Sequence, residues 1–173
     1  MDLLEAIINR CSVRRYRSEA VSEESVTKIL ELASQAPSAG NLQPWHFIVV
    51  RDSKRKIALA KAALGQSMVA NAPLVIVVCA DQLKSRRYYG ERGANLFCIQ
   101  DTAAAIENLL LAAFMLGIGT CWVGSFNESE VSEILHAPEG IRPIAIIPLG
   151  YPAEHPIRTS RKPLSEIVQN ESF

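Results

Sequence analysis

The stretch LFCIQDTAAAIENLLLAAFML, residues 96–116, decides the fold of this chain. Its apolar side chains fall on nearly every face of a helix, a pattern typical of a helix that is buried on all sides. Glu107 and Asn108 interrupt the apolar run, and Gly117 and Gly119 follow it, which argues against a membrane span. The sequence therefore predicts one long helix at the centre of the fold.

Strands and amphipathic helices alternate around this central helix. Residues 74–80 are apolar without alternation, so we expect a strand that is covered on both faces, near the centre of a sheet. Residues 45–50 and 144–149 are rich in the apolar, β-branched or aromatic residues of further strands. Pro148 favours an edge position or an irregular end for the second of these. The pattern predicts a two-layer or three-layer sandwich of the α+β or mixed class.

Length, composition and charge limit the possible classes of protein. With 173 residues, 49% of them hydrophobic, the chain can close one sizeable core, and we expect one domain, residues 1–173. Lysine plus arginine equal aspartate plus glutamate at 18 each, so no global charge attracts nucleic acid or a membrane surface. The four cysteines lie far apart and the first residues are acidic, which favours reduced thiols and a cytoplasmic protein without a signal peptide.

The first polar motif is RCSVRRY, residues 10–16, which follows a short amphipathic helix. Arg10, Ser12 and Arg14 supply two guanidinium groups and a hydroxyl at i, i+2 and i+4, a set suited to a dianionic phosphate. The alternative is a solvated basic turn, and zero net charge disfavours a nucleic-acid patch. Cys11, inside the motif, is either a small filler or a reactive thiol.

The second polar motif is APSAGNLQPW, residues 36–45, which follows another amphipathic helix. It supplies amides, a hydroxyl and bends fixed by glycine and proline beside an aromatic strand. A Rossmann site is not supported, because GIGTCW, residues 117–122, follows a helix and departs from G-x-G-x-x-G at its last position. His46, His136 and His155 lack the spacing of metal ligands, and we expect no metal site.

The two motifs, followed by GTCWVG at residues 119–124, GYP at 150–152 and RKPL at 161–164, resemble in order and spacing the FMN-dependent nitroreductase family. The resemblance implies an α+β three-layer sandwich, with a mixed β-sheet surrounded by helices and a long central helix. It also implies an intertwined homodimer in which one FMN at each interface is reduced by NADH or NADPH. Residues 151–173 would form a C-terminal extension that packs on the partner subunit.

The resemblance also assigns roles at the two ends of the flavin. Arg10 and Ser12 would hold the FMN phosphate, together with Arg161 or Lys162. Arg14, where the family often has a lysine, would lie near flavin N1 and O2 and stabilise the reduced anion electrostatically. The protein itself would need no acid or base, because the flavin carries the redox chemistry.

Other positions would contact the flavin ring. The backbone around Gly124 would approach N5, where a residue without a side chain permits close contact. Residues 37–43 would approach the ring or the ribityl chain, in part from the partner subunit, and Trp122 is expected in the core or beside the flavin. The cofactor-binding set predicted here is Arg10, Cys11, Ser12, Arg14, Pro37, Ser38, Ala39, Asn41, Gln43, Val123, Gly124, Arg161 and Lys162.

The implied activity is a ping-pong reaction of an oxidoreductase. A hydride from NAD(P)H would pass to flavin N5, and two electrons would then reach an electron-poor acceptor such as a nitroaromatic or a quinone. Two alternatives stay open: a specialised dehydrogenase or biosynthetic enzyme of the same family, and a flavin-binding protein without turnover. Residues 81–95 form either a lid over the acceptor or an ordinary exposed segment. Because Tyr88 and Tyr89 precede Glu91 there, a dehalogenase of this family is disfavoured.

Overall fold

Residues 2–173 are described by a computed structural model, in which helices cover a four-stranded sheet. The helices are α1 (Leu3–Asn9), α2 (Glu23–Ala33), α3 (Ser53–Ala62), α4 (Ser67–Asn71), α5 (Gln82–Arg92), α6 (Cys98–Met115) and α7 (Glu128–Leu135). The strands are β1 (Trp45–Val50), β2 (Leu74–Asp81), β3 (Gly119–Thr120) and β4 (Ile141–Gly150). Short 3-10 turns occur at Ala39–Asn41 and Leu164–Glu166, and a π-helical turn, Gly93–Phe97, joins α5 to α6.

The four strands form one antiparallel sheet in the order β1-β2-β4-β3. β2 lies inside the sheet, and residues 74–80 are buried, as their unbroken apolar run predicts. The resemblance implies a mixed sheet, whereas these strands pair antiparallel throughout. Within residues 2–173, parallel pairing is limited to a bridge between Ser12 and Thr120, because the first motif meets β3 at a single position.

Pro148 lies in the interior strand β4, so the predicted edge position is wrong. Ile146 exchanges both of its main-chain hydrogen bonds with Val123. The main-chain nitrogen of Pro148, two residues later, therefore points to the same side of β4 as that of Ile146, away from β2. On that side β3 ends at Thr120, so the missing amide of the proline falls in a gap between two pairings. The carbonyl of Pro148 accepts a hydrogen bond of 3.2 Å from the hydroxyl of Tyr16.

Alternate residues of β2 enter two separate cores. Ile76 and Val78 pack with Ile106 of α6 on one face of the sheet, and Val75 and Val77 pack against α3 and α7 on the other. Each such fully buried side chain contributes roughly 1.5–3 kcal/mol relative to an exposed one. Helical layers therefore enclose the sheet on both faces, and the prediction of an α+β three-layer sandwich is confirmed.

Helix α6 is the central helix that the sequence predicts, with nine of its eighteen residues buried. By length and composition the helical run 82–115 could cross a membrane, but half of its most apolar window is buried inside the fold. Tyr89 and Gly90 also break the helical backbone within this run. The apolar character of α6 is therefore that of a core helix, preceded by a kinked and largely exposed segment.

Two segments leave apolar side chains uncovered in the single chain. Helix α1 is N-capped by Asp2 and buries only Ala6. Its large apolar side chains are all more than half exposed: Leu3, Leu4, Ile7 and Ile8. The tail, residues 157–173, is exposed along its whole length. Both segments therefore lack the apolar partner surface that would normally cover them.

Candidate functional site

The first motif is extended and runs beside β3. Arg10 ends α1 with an extended backbone (φ −57°, ψ 126°), and the amide of Val13 donates a hydrogen bond of 2.9 Å to the carbonyl of Thr120. Val13 is buried against Gly119, where an added Cβ would lie 2.8 Å from the valine side chain. Because alternate side chains of an extended segment share a face, burial of Val13 turns its two neighbours to the opposite side.

A cavity of about 460 Å³ lies between the first motif and the start of the tail. Four arginines and one carboxylate surround it, so it favours an anionic ligand. Arg161 lines this cavity, whereas Lys162 does not. The motif contributes Arg10, Cys11, Ser12 and Arg14. The charged and hydroxyl side chains from residues 154–161 are Glu154, Arg158, Thr159 and Arg161.

The guanidinium groups of the first motif differ in what they contact. Arg10 Nε lies 3.8 Å from Glu107 Oε1 of α6. Arg15 Nε donates to Glu154 Oε2 at 2.9 Å. By contrast, the guanidinium of Arg14 makes no hydrogen bond or ion pair with any of residues 2–173. Among the guanidinium groups of the motif, that of Arg14 is therefore the one without a partner in this part of the chain.

Both cysteines near the cavity behave as small packing residues. Burial raises the pKa of the Cys121 thiol, although Arg14, Ser12 and Arg10 lower it in part. The thiol of Cys121 is thus protonated at neutral pH and contributes packing, not nucleophilic chemistry. Cys11 is half-buried, and its Sγ donates to a main-chain carbonyl two residues earlier at 3.4 Å. This contact favours the filler interpretation of Cys11.

The second motif forms a tight loop, residues 37–43. Asn41 and Gln43 have left-handed backbones (φ 56° and 49°), as does Gly40 (φ 56°), and residues with side chains rarely adopt this conformation. The hydroxyl of Ser38 accepts a hydrogen bond of 2.9 Å from the amide of Gln43. The side-chain amide of Gln43 in turn donates to Asn41 Oδ1 at 3.1 Å. The loop is therefore a preformed turn with Asn41 and Gln43 at its surface.

Side chains from α5 and α6 support this loop. Asp101 Oδ1 of α6 accepts a hydrogen bond of 3.1 Å from the amide of Ala39, and burial raises the pKa of Asp101. The hydroxyl of Tyr89 packs so closely on Gly40 that an added Cβ would require the tyrosine side chain to shift. The Tyr89 ring also meets the ring of Phe97 edge to face, with 5.4 Å between centroids. The segment that precedes α6 therefore touches the second motif directly.

A third predicted contact region lies at residues 122–124. Val123 is buried and is fixed by its two hydrogen bonds of 3.0 Å to Ile146. Gly124 is exposed, and a Cβ added there would meet nothing closer than 3.7 Å, so its main chain is accessible. Trp122 is 38% exposed. The core position expected for Trp122 is therefore wrong, because its ring lies at the surface beside Gly124.

The chain is similar to known proteins over most of its length. The family model described as the nitroreductase family matches residues 7–67 and 60–151. The chain belongs to the nitroreductase family. An Archaeoglobus fulgidus protein, provisionally named NADH dehydrogenase/NAD(P)H nitroreductase, is 42% identical over 157 residues, which are 88% of this chain and 87% of that protein.

A second relative and a solved structure extend the comparison. A Bacillus subtilis protein named FMN reductase (NAD(P)H) is 27% identical over 185 residues, which cover 99% of this chain and 74% of that protein. The crystal structure of a nitroreductase family protein from Streptococcus pneumoniae superposes with a TM-score of 0.89 at 27% identity, covering 98% of this chain and 100% of that one. The prediction of an oxidoreductase of this family is confirmed.

In a single chain, the predicted site residues fall into three groups. The first group lines the cavity and comprises Arg10, Cys11, Ser12, Arg14 and Arg161. The second group belongs to the loop and comprises Pro37, Ser38, Ala39, Asn41 and Gln43. The third group is Val123 and Gly124. Neither the second nor the third group lines the cavity, and Lys162 is exposed outside it.

Sequence reasoning missed several residues of this candidate site. Arg158 and Thr159 line the cavity but belong to no motif. Glu154 lies 140 positions from Arg14, to whose amide it binds, and no local pattern predicts that contact. Asp101 did carry a signal, because an acidic residue inside a buried helix needs a partner.

Proposed function

We propose that this nitroreductase is an NAD(P)H-dependent oxidoreductase that uses FMN as its resident cofactor. The observation that carries the proposal is the guanidinium of Arg14, which faces the positive cavity and has no partner among residues 2–173. Arg10, Ser12 and Arg161 add two guanidinium groups and a hydroxyl to the same cavity. The names of the Archaeoglobus and Bacillus relatives support the use of NAD(P)H and FMN.

The chemistry of these donors fits FMN. A phosphate dianion binds well to guanidinium groups, because charge-assisted hydrogen bonds are shorter and stronger than neutral ones. Arg10, Ser12 and Arg161 would hold the phosphate. Arg14 would stabilise the negative charge that two-electron reduction places on the flavin, since a preorganised cation in a partly desolvated site costs no reorganisation.

The other two groups of site residues would bind the rest of the cofactor. The loop 37–43 presents preformed main-chain and amide groups, and Gly124 presents accessible main chain. FMN, when bound, would supply the redox chemistry: it takes a hydride from NADH or NADPH and passes two electrons to an electron-poor acceptor such as a nitroaromatic or a quinone. The chain's own residues would bind, orient and stabilise charge, without a protein acid or base.

We further propose a homodimer in which each site takes residues from both subunits. Within one chain, the loop 37–43 does not line the cavity. Helix α1 exposes four large apolar side chains, and the tail 157–173 is exposed along its whole length. Burial of such apolar area stabilises association by about 25 cal/mol per Å² before the costs of ordering. Residues 151–173 would pack on the partner subunit.

A cytoplasmic location of the protein stays a prediction.

Steady-state kinetics of the FMN-reconstituted protein test this proposal. With NADH or NADPH as donor and a nitroaromatic or quinone as acceptor, double-reciprocal plots at several acceptor concentrations should give parallel lines. Failure to bind FMN contradicts the proposal. Binding without reduction by either nicotinamide favours a flavin-binding protein without turnover. Efficient turnover of one acceptor alone, among a panel, favours a specialised dehydrogenase or biosynthetic enzyme.

A further inference from the structure

The carboxylate of Glu154 binds two successive main-chain amides of the first motif. Oε1 accepts hydrogen bonds from the amide of Arg14 at 2.7 Å and from the amide of Arg15 at 3.1 Å. Oε2 accepts from Arg15 Nε at 2.9 Å. The side chain of Glu154 is only 17% exposed, although that of Arg15 is 77% exposed. One carboxylate thus satisfies three donors at the rim of the positive cavity.

The chain segment that carries Glu154 is itself fixed against the first motif. The amide of Ala153 donates to the carbonyl of Arg15 at 2.9 Å, and the amide of Arg17 donates to the carbonyl of Tyr151 at 2.8 Å. On the other side of Arg14, the amide of Val13 is bonded to β3. Arg14 therefore lies between two anchored neighbours, and the hydrogen bond that fixes its own amide comes from Glu154.

A carboxylate beside an anion site is unfavourable for ligand binding, because it repels the ligand that the arginines attract. Here the carboxylate accepts hydrogen bonds from the two amides and from Arg15. The hydrogen bond from the amide of Arg14 is the largest of the effects that hold the pKa of Glu154 below its usual range. The group is therefore ionised at neutral pH. The same contact holds the guanidinium of Arg15 outside the cavity, which is lined by Arg14, whose guanidinium has no partner among residues 2–173.

We propose that Glu154 is the positioning residue for Arg14: it fixes the main chain at residues 14 and 15 so that the Arg14 guanidinium is directed to the flavin. This inference rests on the proposed function. A positioning role and a purely electrostatic role of Glu154 make opposite predictions. Loss of positioning weakens flavin binding, whereas loss of a repelling charge strengthens it.

Three variants separate these roles: Glu154→Ala, Glu154→Gln and the matched control Arg15→Gln. Glu154→Ala removes the acceptor of both amides. Glu154→Gln loses the charge but keeps Oε1 as an acceptor, and the exposed Arg15 side chain can move away from the new amide group. Arg15→Gln removes the ion pair and keeps both amide hydrogen bonds.

The first readout is amide hydrogen exchange in the flavin-free protein, together with its melting temperature. We expect exchange at the amides of Arg14 and Arg15 to be at least about tenfold faster in Glu154→Ala and close to wild type in the other two variants. Unchanged protection in Glu154→Ala would overturn the proposal. Because no flavin is present, this result is independent of the proposed function. A wild-type protein that shows the exchange pattern but binds no FMN would overturn the proposed function and leave the backbone contact established.

The second readout is the dissociation constant of FMN and the two-electron reduction potential of the bound flavin. We expect Glu154→Ala to weaken FMN binding about tenfold and to lower the potential, while Glu154→Gln and Arg15→Gln stay within about threefold of wild type. Tighter binding and a higher potential in both Glu154 variants would overturn the proposal, because Glu154 would then act only as a repelling charge. A lower melting temperature with an unchanged dissociation constant and potential would also overturn it, because the role would be structural.

Discussion

Asp101 Oδ1 accepts a hydrogen bond of 3.1 Å from the amide of Ala39, and this bond joins the central helix α6 to the loop 37–43. The carboxyl group is largely buried, and its Oδ2 has no partner among residues 2–173. Burial raises the pKa of Asp101, which means that the charged form is disfavoured in the folded protein. The loop 37–43, which contains three left-handed residues, is therefore attached to the core helix by Asp101, whose charge is not fully compensated.

Substitution of Asp101 should separate its hydrogen bond from its charge. Asp101→Leu leaves the amide of Ala39 without its acceptor and should lower the free energy of unfolding by about 1.5–3 kcal/mol. Asp101→Asn keeps an acceptor oxygen and removes the buried charge, so it should equal or exceed the wild type in stability at pH 7. Urea denaturation of the three proteins checks this. A Leu variant as stable as the wild type would show that the bond does not support the loop.

The pH dependence of Asp101→Asn has a definite sign. A folded-state pKa raised above the usual 3.8 means that the charged carboxylate costs stability above the folded pKa. That cost disappears as the pH falls toward 3.8. The stability advantage of Asp101→Asn over the wild type should therefore be largest near neutral pH and should shrink on acidification. An advantage that grows on acidification would contradict this account.

Arg14→Ala should make the bound flavin harder to reduce. A contact worth about 1.5–3 kcal/mol corresponds to a two-electron potential lower by about 30 to 65 mV. Arg14→Lys keeps the charge and should show a smaller decrease. Arg55→Ala, which removes an exposed arginine of α3, is the control for net charge and should leave the potential unchanged. Potentiometric titration that finds equal potentials for Arg14→Ala and wild type would exclude the electrostatic role.

The exposed face of α1 should be required for association. Ile7 is 56% exposed in the single chain, and Ile7→Glu should yield a folded monomer with weakened FMN binding, because each site takes residues from both subunits. Ile57→Glu is the matched control, since Ile57 of α3 is 61% exposed and should tolerate the change in the dimer. Light scattering after gel filtration gives the mass, and circular dichroism verifies folding. A monomeric wild type at micromolar concentration would contradict the proposed dimer.

The sequence predicts the layers of this fold better than it predicts contacts between distant residues. The unbroken apolar run of β2 and the all-round apolar character of α6 reflect burial directly, so their places in the core could be predicted. The edge position predicted from Pro148 was wrong, because the tolerance of a proline in β4 depends on where β3 ends. Local pattern fails in such cases since the decisive neighbour lies far away in sequence.

In the candidate site, too, local motifs could be predicted from the sequence and contacts between distant residues could not. The motifs at residues 10–16 and 36–45 concentrate arginines, a hydroxyl and fixed bends within a few residues, so they could be found from the sequence. Glu154 could not, because its contacts with Arg14 and Arg15 exist only once residues 151–154 lie against the first motif. Of the two positions expected for Trp122, the core was wrong, although a large aromatic residue beside a buried strand is usually covered by its own chain.

The ion pair between Glu128 and Arg142 should contribute a small, pH-dependent stability. Two hydrogen bonds of 2.8 Å join them, and the bond from Arg142 is the main reason that the pKa of Glu128 lies below its usual 4.5. Because both side chains are partly exposed, Glu128→Gln should cost less than about 1 kcal/mol at pH 7.

A lowered folded-state pKa means that this contribution is present above pH 4.5 and is lost as the pH falls through the folded pKa. Denaturation curves of wild type and Glu128→Gln should therefore converge at acid pH. Glu133→Gln, at an exposed position of the same helix, is the control and should match the wild type throughout. A difference that persists unchanged at acid pH would assign the effect to packing.

Flavin binding and its reduction by a nicotinamide are followed in the visible spectrum of the protein, with FMN added if it is colourless, during anaerobic addition of NADH and then NADPH. We expect the spectrum of the bound flavin to bleach rapidly with one nicotinamide or both and to return when a nitroaromatic or a quinone is added. A protein that fails to bind FMN, or whose bound flavin stays oxidised with both nicotinamides, would contradict the proposed function.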